Sequence, residues 1–121
     1  MGKHNFKKLV VWHEAMDFCD LIYHYTDTLP SKKKYNLVSQ MERCSVSIPS
    51  NIAEGSGKRT NNHFAEFLTT SLSSSYEVET HLLICQKRCY GKEEDLVHLL
   101  KKAEELQRKI FNFRETIING N

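Results

Sequence analysis

The chain lacks any long apolar stretch. No hydrophobic run approaches the roughly 18 residues that cross a bilayer, so no membrane association is expected. The opening MGKHNFKKL has no apolar segment of the kind that directs secretion, and Phe6 stands where an N-myristoylation signal needs Ser or Thr. Two prolines and five glycines are all that punctuate 121 residues. No segment alternates apolar and polar residues for long enough to read as a strand. The four cysteines form no CxxC pair, which argues against a zinc ribbon or a thioredoxin-like motif. Without a secretion signal they suggest reduced thiols in a cytoplasm. Charge of neither sign prevails: 17 basic against 15 acidic residues leave +2, so the placement of charge, and not its sum, must speak for nucleic acid. At 40% hydrophobic and 26% charged, the composition is that of an ordinary globular chain, expected to form a single domain over 1–121.

What is present is helical periodicity. Leu96, Leu99, Ala103, Leu106, Ile110, Phe113 and Ile117 recur in alternating steps of 3 and 4, behind a first turn of Glu93, Glu94 and Asp95 that suits a helix N-terminus. Phe64, Leu68, Ser71, Ser75, Val78, Leu82, Cys85 and Cys89 form a second such stripe. Trp12, Met16, Cys19, Tyr23 and Thr26 form a third, thickened by Phe18 and Ile22. Leu37, Met41, Cys44, Ile48 and Ile52 form the last, which runs straight through Pro49. The pattern predicts helices near 8–28, 36–56, 62–90 and 92–117. Short connections favour antiparallel neighbours, hence an all-α, up-down-up-down four-helix bundle.

Pro49 has two readings. It lies inside one kinked helix, freeing the Ser45 carbonyl for a nearby hydroxyl such as Ser47, or it opens a short new helix capped by Ser47 or Ile48. The unbroken stripe favours the first. Gly55 and Gly57 then act as the stop signal, and a hairpin turning near Arg59 sets Ser47 against Ser71, small residues that let two backbones approach.

Chemical motifs are scarce. His81, Cys85 and Cys89 share a face at i, i+4, i+8, but the two cysteines continue a core stripe. A di-iron bundle needs Glu-x-x-His twice; His63-x-x-Glu66 is reversed and Glu77-x-x-x-His81 is misspaced. GSGKRT lacks the upstream glycine of a phosphate loop, no GxSxG follows a strand, and His13-Glu14 does not extend to HExxH. No catalytic residue, metal or cofactor is expected, and no enzymatic activity.

In an up-down bundle one pole gathers Lys3, Lys7, Lys8, Lys58, Arg59, Lys109 and Arg114, and the other Lys32, Lys33, Lys34, Lys87, Arg88 and Lys92, with Glu14, Asp17 and Asp20 nearer the middle. Such poles suit phosphate contacts without sequence preference. Lys7, Lys8, Lys58, Arg59, Lys32, Lys33 and Lys34 are the candidate nucleic-acid contacts.

Three segments carry a family resemblance: LVVWHEAMDFCDLIY (Leu9–Tyr23), LVSQMERCSVSIPSNIAEGSGKR (Leu37–Arg59) and FAEFLTTSLSSSYEVETHL (Phe64–Leu82). Together they resemble the bacterial four-helix-bundle proteins encoded within intervening sequences of 23S rRNA genes, to which the accessory variability protein of diversity-generating retroelements is related. The resemblance implies a non-enzymatic homo-oligomer, with five copies favoured. Its partner would be rRNA or another nucleic acid, or else a protein for which the bundle is an adaptor. Ser47, Pro49, Asn51, Glu54, Gly55, Glu77 and Glu79 match the family's polar or special positions, where packing, buried polar bonding or subunit contacts are implied. The retroelement proteins are strongly basic; this chain is not.

Overall fold

The computed structural model describes residues 4–30 and 35–120. A 3-10 turn at Phe6–Lys8 precedes four helices: α1 Val10–Asp27, α2 Tyr35–Ser56, α3 Asn61–Lys87 and α4 Glu93–Ile118. No strand occurs among the described residues. The first helix starts later than its periodicity suggests. The Asn5 side chain accepts the Lys7 N–H at 3.1 Å and holds the 3-10 turn, and Leu9 is extended before α1 begins.

The helices form a closed square in which each packs on its neighbours in sequence and α1 also packs on α4. Residue numbers rise on one helix as they fall on the next, so every neighbouring pair is antiparallel. Between α1 and α2, Cys19 meets Ser45 and the Thr26 hydroxyl donates to Glu42 at 2.6 Å. Between α3 and α4, Arg114 donates to the Thr69 hydroxyl at 2.6 Å and Gln107 to Glu79 at 2.9 Å. Along the α1–α4 seam, Lys109 bonds Glu14, and His24 shares a recess with His98.

Local chemistry sets the breaks. The Thr60 side chain caps α3 by accepting the His63 N–H at 3.1 Å. Glu93, Glu94 and Asp95 occupy the first turn of α4, where the helix dipole favours anions. The turn between them needs left-handed backbone at Cys89 (φ 58°) and Gly91 (φ 73°). It is fastened by the Tyr25 hydroxyl, which donates to the Tyr90 carbonyl at 2.7 Å. A Cβ on Gly91 would come within 2.8 Å of the Tyr25 ring. Cys89 therefore lies beyond α3, whose predicted stripe stops at buried Cys85.

The stripes of α3 and α4 face the core, with Leu68, Val78, Leu82, Leu96 and Ile110 at 0–1% exposure, and so do Met41, Ile48 and Ile52 of α2. On α1 the core row is Val11, Ala15, Phe18, Ile22 and Tyr25; of the expected stripe Thr26 and the flanking Phe18 and Ile22 are buried, whereas Met16 and Tyr23 are 44% and 38% exposed. Both rows are apolar and helically spaced, so periodicity could not choose between them. Of the second row, Met16 and Tyr23 are left on the surface, while Trp12 is half-buried against the core.

Candidate functional site

α2 passes through Pro49 without interruption, and side chains service the backbone around it. Asn51 donates to the Ser47 carbonyl at 2.8 Å and to the Ser47 hydroxyl at 2.9 Å. Ser47 meets Ser74 at 2.9 Å, and the Ser71 hydroxyl donates to the Ile48 carbonyl at 2.8 Å. The expected Ser47–Ser71 pairing is thus displaced by one turn, and the hairpin register pivots slightly beyond Arg59. Gly55 is no stop signal. It is buried within α2 against α3, where a Cβ would stand 2.7 Å from the Phe67 Cβ and 2.8 Å from the Phe64 ring. Gly57 lies just past the helix end, and neither glycine uses positive φ.

The remaining signature residues are acidic. Glu54 is exposed. Glu79 is half-buried and receives Gln107 from α4. Glu77 lies between two groups that shun charge. Burial pushes the Cys44 thiol up to about 12, aided by a hydrogen bond to the Glu77 carboxylate. Burial lowers the His81 imidazole below its ordinary 6.5, with Glu77 opposing. The Nδ1 of His81 is buried without a hydrogen-bond partner among the described residues. No three His, Cys, Asp or Glu side chains of the described residues converge as metal ligands.

The basic candidates divide. Lys7 of the 3-10 turn lies 6.0 Å from the Phe6 ring centre, and Lys58 lies 4.9 Å from that of Phe67. Lys8 and Arg59 are exposed. The 3-10 turn packs on α1 and α2, and the His4 ring lies 5.1 Å from Phe64 of α3, so Lys7, Lys8, Lys58 and Arg59 occupy one pole. None of these four is ion-paired to another described residue. Lys109 and Arg114, at the same pole, are engaged by Glu14 and Glu115. At the other pole Arg88 lies 3.4 Å from the Tyr90 hydroxyl. Lys3, Lys32, Lys33 and Lys34 lie outside the described residues.

One surface escaped the sequence reading. Trp12, Met16 and Cys19 of α1 and Val46, Pro49 and Ala53 of α2, together with Phe6, line an open, almost wholly apolar groove. The edge of the Phe6 ring packs on Trp12, with centroids 5.1 Å apart. The signal was in the sequence as the surplus apolar row of α1, assigned there to the core.

Among the described residues no helix is long and apolar enough to cross a membrane. Comparison with curated proteins returns no match. A family model described as 23S rRNA-intervening sequence protein matches residues 7–112, which takes in all of α1, α2 and α3 and most of α4. The chain belongs to the 23S rRNA-intervening sequence protein family.

Proposed function

We propose that this protein is a non-catalytic, cytoplasmic homo-oligomer that associates with RNA or a ribonucleoprotein through its basic bundle ends. The observation that carries this reading is the set of four cations at one pole, Lys7, Lys8, Lys58 and Arg59, none ion-paired to another described residue. Cations not held in ion pairs are available to displace counterions from phosphate. Membership in a family named for rRNA intervening sequences supports RNA as the polyanion. Five copies per assembly is the number that the resemblance implies. A gel shift with rRNA fragments across a salt series tests the reading. The expected result is binding at low salt that weakens steeply as salt rises; no shift even at low salt overturns it.

A second reading makes the assembly a protein adaptor with nucleic acid incidental. The apolar groove beside Pro49 favours it, since exposed apolar surface marks protein contacts more often than phosphate sites. A pull-down from the native cell that recovers one stoichiometric protein, together with a failed gel shift, would select it.

A further inference from the structure

The seam between α1 and α4 opens at the basic pole into a cavity of about 620 Å³, within the roughly 300–1,000 Å³ of small-molecule sites. Val10 and Val11 of α1 and Phe113 of α4 supply apolar wall. Val10 is 70% exposed, so that wall stands open to solvent. The Phe113 ring is half-buried and held edge-on by buried Phe64, with centroids 5.7 Å apart at 77°. One ring already ordered by the core therefore lines the cavity. Lys8, Glu14, Lys109 and Asn112 supply the polar wall. Glu14 and Lys109 bond each other and cancel in charge. Lys8 belongs to no ion pair of the described residues, so it sets the sign of the cavity. It is also one of the four cations of the pole, which makes the cavity continuous with the proposed phosphate surface.

We infer that this cavity takes one unstacked nucleotide, and that the RNA engaged by the pole is single-stranded. This rests on the RNA reading above and names the form of RNA. Each part of a nucleotide has a counterpart in the wall. The Lys8 ammonium suits the phosphate. Phe113, Val10 and Val11 offer apolar surface to the faces of the base. The Asn112 amide offers donors and an acceptor to its edge, and the Glu14 carboxylate a further acceptor. One net charge fits one phosphate. A duplex presents phosphates in rows and keeps its bases stacked, out of reach of a recess. An acyl chain with an anionic head would also match Lys8 and the apolar wall. It would, however, press hydrocarbon against Asn112 and the Glu14–Lys109 pair, and polar groups covered without hydrogen bonds are costly.

Two charge-neutral variants test this, since they leave every cation in place. Phe113→Leu removes the ring and keeps an apolar side chain; Asn112→Ala removes the amide. Asn112 is exposed, so its variant carries the test should Phe113→Leu lose the wild-type circular dichroism spectrum. Fluorescence anisotropy follows a short labelled single-stranded RNA and the blunt duplex of the same sequence across a salt series. The wild type is expected to prefer the single strand. Phe113→Leu is expected to weaken single-strand binding about fivefold or more, as loss of a base–aromatic stack does. Asn112→Ala is expected to weaken it about threefold or more, as loss of a hydrogen bond does. Both should leave duplex binding and the salt slope unchanged. No binding of either RNA at low salt would sink the RNA reading and this inference together. Equal affinity for the two forms, a preference for duplex, or single-strand binding that both variants leave intact would sink this inference alone. So would well-folded variants that weaken strand and duplex alike, because the effect then runs through the shape of the pole and not through a base. Decanoate bound by the wild type and lost in Phe113→Leu, with RNA binding unmoved, would give the cavity to an acyl anion and overturn the assignment.

Discussion

The hydroxyl of Ser71 on α3 donates to the carbonyl of Ile48 on α2 at 2.8 Å, one residue before the proline that interrupts the α2 hydrogen-bond ladder. Both residues are fully buried. Ser71→Ala leaves that carbonyl without its partner from α3, and a lost buried hydrogen bond costs about 1 kcal/mol. Urea unfolding should show this loss with an unchanged m-value. A variant as stable as the wild type would make Ser71 merely a small residue.

Gly55 and Gly57 should respond oppositely to alanine. At Gly55 the added methyl meets Phe67 and Phe64 at 2.7 and 2.8 Å, so α2 and α3 must separate. Overpacking of this kind costs about 1–3 kcal/mol. At Gly57 the nearest atom is the Glu54 carbonyl oxygen at 3.6 Å, so Gly57→Ala should be neutral or slightly stabilising, by about 0.5 kcal/mol. Thermal melts of the two variants side by side decide it.

Stability should fall with pH on the acid side of 6.5. The folded state lowers the proton affinity of His81 below its ordinary value of 6.5. The unfolded chain therefore binds more protons in that region, and stability rises with pH until the unfolded histidine is neutral. The contribution is complete above 6.5 and is lost as pH drops through that value toward the lower folded pKa. Urea midpoints between pH 5 and 8 should show this slope, and His81→Leu should flatten it.

The four thiols should separate by reactivity. Cys89 is exposed, Cys19 half-buried, and Cys44 and Cys85 buried. Cys44, with its pKa near 12, holds almost no thiolate at neutral pH, and thiolate is the reactive form. Timed alkylation with mass spectrometry should modify Cys89 first and leave Cys44 and Cys85 until denaturant is added. Early labelling of Cys44 would contradict the packing of α2 on α3.

Lys58→Ala combined with Arg59→Ala should weaken RNA binding uniformly across sequences. Each phosphate contact removed lowers the slope of log affinity against log salt by about 0.7–0.9, so the pair should reduce it by about 1.5. An unchanged slope would remove this turn from the interface.

The sequence disclosed much of the bundle because three of its four helices carry one long apolar row that outweighs their scattered exposed apolar residues. The Leu96-to-Ile117 stripe and the Phe64-to-Cys85 stripe leave a helix little choice of orientation. The continuity of Met41, Ile48 and Ile52 was enough to carry α2 across Pro49, since burial of a whole face outweighs one missing N–H. α1 was misread because Met16 and Tyr23 imitate a core row while facing outward. Gly55 was misread as punctuation because a glycine near a helix end looks the same whether it relieves φ or makes room for Phe64 and Phe67. The partner of Ser47 depended on hairpin register, which two small residues on facing helices do not fix. At the candidate site, basic residues could be nominated by pole. Their neutralisation could not, since Lys109 meets Glu14 across 95 positions of chain.

The Tyr25–Tyr90 bond bears on the order in which the molecule assembles. α2–α3 and α3–α4 are hairpins of chain-adjacent helices, and α3 packs more extensively on its neighbours than α1 does on either of its own. Closing the square requires α1 to find α4 across most of the chain, a contact of high loop-closure cost. The phenol of Tyr25 joins that side to the turn between the two later helices. α1 is accordingly the segment whose amides should exchange first when the native bundle opens.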